Sequence, residues 1–390
     1  MHSRNIAYLP AVDQVRGFAA LWILFYHSYQ LLGSRLRTGE PFRKETMWER
    51  DAGPLLAPLV EGHTAVALFM VLSGFIFTWG AIGQRIDYLR FIGNRFLRIY
   101  PLYLVLLMVA LAARPRAFEL DVVLAMLLPF ADFVRPGTGP LTGMSWAIGV
   151  EFQFYLLFPL LFALARDNPA RLIAGWIACA VLLRLLAVGL GGSAYHVSYW
   201  HLAGRIDQFL LGMAAAFWLA QARPEPRRCV LLLCMAVPMS VALLHAFHRG
   251  GGLPVSAPWK TIWPAIEGAM WALCIAGWIG LRGAGQRWPA RVLQWVGTRS
   301  FSIYLLHYPL VQLLAAHPGL WWAPTGEWRT DALLTSACVV LPLSLLLSSL
   351  TWSAIEKPFL SLRRSYLTPL DGPPSPLTAH PNTASVARAP

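Results

Sequence analysis

The sequence predicts an all-α, polytopic membrane protein of about ten transmembrane helices with both termini in the cytoplasm. Three observations predict it. Of all residues, 57% are hydrophobic and only 13% are charged, whereas a soluble domain carries roughly 25% charged residues. Runs of about 20 mostly apolar residues, the length needed to cross about 30 Å of hydrocarbon, recur along the chain, centred near residues 25, 70, 105, 156, 180, 212, 238, 271, 308 and 341. Lys and Arg outnumber Asp and Glu by 32 to 19, and most of those between spans fall on the side of the N-terminus, as the positive-inside rule requires.

The first span follows Arg16, has no small-residue cleavage site at its end, and reads as a retained helix rather than a signal peptide. The second contains Ser73 and Gly74, whose small side chains suit close helix packing. The third opens on Asn94-Arg95-Phe96-Leu97-Arg98. Val122 to Phe133 is shorter, is broken by Pro129 and is flanked by Glu119, Asp121 and Asp132. It reads as a re-entrant or interfacial segment, because counting it as a crossing reverses the charge bias of every later loop. The fourth span carries Ser145, Trp146 and Glu151. Arg184 lies within the fifth, Arg205 and Asp207 open the sixth, and His307 lies at the edge of the ninth. After residue 365 the chain is rich in Pro, Ser, Thr and Ala, so residues 1–365 are read as the membrane domain and 366–390 as a disordered tail. Five cysteines without metal-type spacing read as free, buried thiols. No metal site or bound cofactor is expected, and scattered basic residues argue against nucleic acid.

Ionisable residues inside a bilayer cost about 2.5 to 3.5 kcal/mol each and are functional candidates for that reason. Arg16 and His27 are eleven residues apart, nearly three helical turns, and so share a face about 16 Å apart along the axis. Arg16 alone reads equally as a topology anchor and His27 alone as a hydrogen-bonded interior histidine; the shared face argues for function. A histidine, with an unperturbed pKa near 6.5, is suited to exchange a proton near neutral pH. Arg95 and Arg98 are neighbours on one helix face and present the planar donors that clamp phosphate or pyrophosphate, or serve only as anchors. Glu151 stands alone in an aromatic helix and needs a partner, expected to be an Arg or a His.

Leu9-Pro10-Ala11-Val12-Asp13-Gln14-Val15-Arg16-Gly17-Phe18-Ala19-Ala20, with Tyr26-His27 after it, resembles the opening signature of the acyltransferase 3 family of polytopic membrane acyltransferases, which includes bacterial O-antigen and exopolysaccharide O-acetylases. Phe69-Met70-Val71-Leu72-Ser73-Gly74-Phe75, Arg95 with Arg98, Ser145-Trp146 with Glu151 and Tyr155, Ser302-Ile303-Tyr304-Leu305-Leu306-His307, and Glu356-Lys357-Pro358-Phe359 extend the resemblance in the family's order. Gln14 departs from it, standing where many members have glycine. The fused hydrolase-like domain of some members is not seen.

The resemblance implies a bacterial inner-membrane enzyme that moves an acyl group, usually acetyl from acetyl-CoA, to a hydroxyl of a cell-envelope glycan, a lipid-linked saccharide or a similar acceptor. On that reading His27, Arg16 and Glu151 are the catalytic candidates. Arg95, Arg98, Ser73, Trp146 and His307 are the substrate-binding ones. His27 would act as a general base on the acceptor hydroxyl or as a transient acyl carrier. A transporter or flippase lining a polar path with the same charges is the alternative, although no inverted repeat is visible.

Overall fold

A computed structural model describes residues 8–130, 132–133, 143–281 and 287–370. Ten principal helices run through it: α1 (Pro10–Thr38), α2 (Thr64–Ala81), α3 (Tyr88–Ala113), α4 (Ser145–Ala165), α5 (Pro169–Gly189), α6 (Leu202–Ala222), α7 (Pro226–Arg249), α8 (Trp263–Gly280), α9 (Ser300–Ala315) and α10 (Trp328–Ser361). Each expected span centre falls within one of them. Among the described residues six helices, α2, α3, α4, α5, α7 and α10, are long and apolar enough to cross a membrane. The other four depart for visible reasons. Helix α9 has 16 residues, while α1, α6 and α8 bury polar side chains, among them Gln14, Asp207 and Glu267.

Local chemistry sets the ends. Pro10, with its fixed φ and no N–H to satisfy, starts α1; Gly39, at φ 75°, stops it and donates its amide to the Arg35 carbonyl. The Asp87 carboxylate caps α3 by accepting from the Arg90 amide at 3.1 Å. Glu327 caps α10 by accepting from the amides of Arg329 and Thr330. Helix α10 is continuous but contains two π-turns, at 336–340 and 352–356.

Helix α2 is the centre of the bundle, with 78% of its apolar window buried, whereas α5 and α7 leave most of theirs uncovered, as lipid-facing helices do. The pair α2 and α6 approaches main chain to main chain. A Cβ on Gly74 would lie 2.0 Å from the Phe209 carbonyl oxygen, and one on Gly212 would lie 1.9 Å from that of Val71. Glycine is therefore obligatory at both positions, and close packing does explain the Ser73-Gly74 step. Stacked Phe154 and Phe209, 4.0 Å between centroids, fasten α4 to the same helix.

Two fully buried ion pairs tie α5, α6 and α8. Arg184 donates to Asp207 at 2.6 Å, and Arg205 donates to Glu267 at 3.3 Å. Arg184, the least promising of the intramembrane arginines from sequence, is thus a structural partner of Asp207.

Within Val122 to Phe133, the segment expected to be re-entrant or interfacial, the described residues include the end of a short helix, Leu120–Leu127. One sequence expectation needs amending. The expected tail begins too early: Tyr366 is buried, and Leu367–Pro369 forms a strand, β2, antiparallel to β1 (Gln84–Ile86). The folded body thus reaches residue 370 and includes a small sheet, because Tyr366 and Leu367 find apolar cover that composition alone does not reveal. The remainder of the expected tail lies outside the described residues.

Candidate active site

Two cavities enter the bundle and share a partition. The first, about 100 Å³, is lined by Arg16 of α1, Ser73 of α2, Arg95 and Arg98 of α3, Glu151 and Tyr155 of α4, and Tyr304 of α9. The second, about 380 Å³, is lined by His27, His63, Lys44, Trp146, Tyr199, Tyr304 and further aromatic rings. Val66 and Tyr304 border both. Arg16 and His27 do lie along one helix, as their spacing predicts, yet they open into different chambers on either side of this partition.

The smaller chamber is cationic and prearranged. Arg16 donates to Asp13 at 3.1 Å. Arg98 donates to Glu356 at 3.0 Å, and Ser302 also donates to that carboxylate. The guanidinium of Arg95 lies 4.8 Å from the centroid of Phe77 and 5.4 Å from that of Phe91, a cation–π setting. Its buried Nε has no hydrogen-bond partner. Glu151 does not meet the expected Arg or His. It accepts hydrogen bonds from Ser73, at 3.0 Å, and from Tyr155. Hydroxyl donors satisfy a carboxylate as well as cations do, so Glu151 joins α2 to α4 and borders the cationic chamber rather than orienting His27.

In the larger chamber the two histidines touch. His307 Nδ1 lies 2.9 Å from the carbonyl oxygen of Ile303, and a carbonyl only accepts, so the proton is on Nδ1. His307 Nε2 is then an acceptor, and at 3.0 Å it takes the Nδ1 proton of His27. In this neutral pair His27 keeps its Nε2 lone pair free for a proton. His307, which the sequence reading assigns to substrate binding, is completely buried, is not among the residues lining either chamber and meets the His27 ring. Trp146 lines the same chamber, its ring 4.9 Å from Trp200 and 5.1 Å from Tyr199. Among the described residues lining this chamber none is a carboxylate, and its walls are largely aromatic.

Sequence reasoning missed His63 and Glu61. The buried Glu61 accepts from His63 Nε2 at 3.1 Å, from His248 Nδ1 at 2.9 Å and from the Leu253 amide at 3.3 Å. Burial pushes its carboxyl up, and the hydrogen bonds from His248 and His63 outweigh that and hold it below its ordinary value. His248 also donates from Nε2 to the Arg50 carbonyl at 3.1 Å, so both its nitrogens carry protons and its charge balances Glu61. The available signal was Glu61-Gly62-His63 directly before an apolar run, two ionisable groups at a span edge. Among the described residues no cluster of three or more His, Cys, Asp or Glu is arranged to hold a metal ion.

Residues 9–352 match the family model described as an acyltransferase domain, of acyltransferase 3 type. Acyltransferase MdmB of Streptomyces mycarofaciens is 26% identical over 385 residues, spanning 92% of this chain and 93% of its own length. O-acetyltransferase OatA of Staphylococcus aureus is 23% identical over 395 residues, spanning 90% of this chain but only 57% of its own length. No solved structure matches.

Proposed function

Because this chain belongs to the acyltransferase 3 family and is an acyltransferase, we propose that it carries an acetyl or similar short acyl group from acyl-CoA to a hydroxyl of an envelope glycan or related acceptor. The donor's phosphates rest against Arg95 and Arg98 in the cationic chamber, on the cytoplasmic side that the loop charges indicate, and its thioester reaches the Tyr304 partition. The acceptor lies among the rings of the larger chamber. His27 Nε2 takes the proton of the acceptor hydroxyl as its oxygen attacks the thioester carbonyl carbon. The tetrahedral intermediate collapses, the C–S bond breaks and the CoA thiolate departs toward the arginines, which favour negative charge there.

The observation that carries this reading is the hydrogen-bonded chain Ile303–His307–His27, which ends in a free lone pair on the wall of the aromatic chamber. A second role for His27, as a transient acyl carrier, would use the same lone pair. The test is acyl transfer by purified protein in lipid nanodiscs from labelled acetyl-CoA to envelope polysaccharide fragments. His27→Ala should abolish transfer while the protein keeps its melting temperature; retained transfer by that variant overturns the assignment.

A further inference from the structure

The segment after α10 lies beyond residue 352, where the family match ends, yet it is fastened to α3, the helix that brings Arg95 and Arg98 to the cationic chamber. On the downstream side β2 pairs with β1, Ile86 opposite Leu367 and Gln84 opposite Pro369, and the Asp87 amide donates to the Tyr366 carbonyl at 2.8 Å. Asn94 clamps the main chain of residue 364 twice, donating from Nδ2 to its carbonyl at 2.7 Å and accepting from its amide at 2.9 Å. Tyr366 packs 5.2 Å from Phe91 and lies 6.0 Å from the guanidinium carbon of Arg95. Upstream, still within α10, Glu356 accepts from Arg98. Asn94 and Arg98 are one turn apart on α3, so the strap crosses that helix at the level of the two arginines, and Arg363 lies between the fastenings.

Arg363 is half-buried, and its side chain donates from Nε to the Leu360 carbonyl at 3.2 Å, which leaves its terminal nitrogens to other partners. Burial, followed by the neighbouring cations Arg95, Arg98 and Arg16, brings its pKa down to about 10. A chain gains nothing in the folded state from gathering like charges, and the nearby carboxylates are already engaged: Asp13 by Arg16, Glu356 by Arg98, Glu151 by two hydroxyls. A polyanion is what such a cluster lacks.

We propose that Arg363 is a fourth guanidinium of the donor site, carried by the strap against Arg95, Arg98 and Arg16 to bind the phosphates of an acyl-CoA. The proposal rests on the donor reading above, and the experiment separates the two. Full-length protein in nanodiscs is assayed with acetyl-CoA and with acetyl-pantetheine, a thioester lacking the nucleotide and its phosphates, for wild type, Arg363→Gln and Arg363→Lys. A hydrogen bond to a charged group is worth about 1.5–3 kcal/mol, so Arg363→Gln should raise KM for acetyl-CoA about ten- to a hundredfold with little change in kcat. Lys should recover part of the loss, and the rate with acetyl-pantetheine should be the same in all three. An unchanged KM in Arg363→Gln, beside a wild type that uses acetyl-CoA, overturns this proposal alone. An equal loss with acetyl-pantetheine also overturns it, by showing that the residue only supports the strap. A wild type that takes acetyl from no CoA thioester overturns the donor reading and this proposal with it.

Discussion

Replacing His307 tests the proposed base most directly, because its side chain lines neither chamber and, on the proposed reading, acts through His27. The Nδ1 proton of His27 faces His307 Nε2 at 3.0 Å, and the His27 ring also has a backbone hydrogen bond to Ile23. In His307→Leu the first of these partners is lost, a penalty of up to about 1–3 kcal/mol that falls on the tautomer with the proton on Nδ1. The proton then moves to Nε2, the nitrogen that must be bare to accept one from the acceptor. At 1.36 kcal/mol per factor of ten, transfer should fall by about 5- to 150-fold. His307→Gln offers an amide oxygen near the lost nitrogen and should regain most of the rate. The assay is acetyl transfer per mole of folded protein, with melting temperature recorded for each variant. Full activity in His307→Leu would refute the reasoning, as would an equal loss in the Leu and Gln variants, since that would mean the residue merely fills space.

Three further outcomes follow from the geometry. Ser73→Ala and Tyr155→Phe each remove one hydroxyl from Glu151 and should each lower the acetyl transfer rate. A charged hydrogen bond is worth about 1.5–3 kcal/mol, and the double variant should lose less than the sum because both bonds end on one carboxylate, which a double-mutant cycle measures. Arg184→Leu leaves Asp207 buried and unpaired, an expected loss of about 3–5 kcal/mol seen as a lower melting temperature in detergent, and adding Asp207→Leu should restore much of it. Tyr304→Ala removes the ring bordering both chambers and should release CoA from acetyl-CoA without acceptor present, measured by thiol titration; Tyr304→Phe, whose lost bond to the Met144 carbonyl is long at 3.3 Å, should stay within about a kcal/mol of wild type.

Much of the helical framework was legible in the sequence because apolar runs of membrane length have few alternative fates. Arg16 and His27 could be placed on one helix by counting turns. Their division between two chambers could not, because Val66 and Tyr304 belong to other helices. The pairing of His27 with His307 spans 280 positions and that of Ser73 with Glu151 spans 78, distances over which one sequence carries no record of contact. Glu151 was expected to need a cation, since a carboxylate in hydrocarbon is usually thought of as half of an ion pair; neighbouring hydroxyls served instead. His63 escaped notice for a different reason, its position in a short polar stretch between apolar runs, where a histidine looks like loop. The end of the strap, residues 366–370, was assigned to the tail because Pro, Ser and Thr dominate the chain from there on, and only Tyr366, Leu367 and Leu370 mark the turn back.

The close approaches of Gly74 to Phe209 and of Gly212 to Val71 limit how the molecule can breathe. Two helices meeting at their main chains cannot slide past each other by a fraction of a turn without collision, so α2 and α6 behave as one rigid post that includes Val66. Helix α9 is short and has Pro309 in its interior, which frees one carbonyl from the helical ladder. Any passage between the chambers must therefore open from the tyrosine side, with the valine as its fixed jamb, and a crosslink locking α9 to α1 should stop turnover while leaving both ligands able to dock.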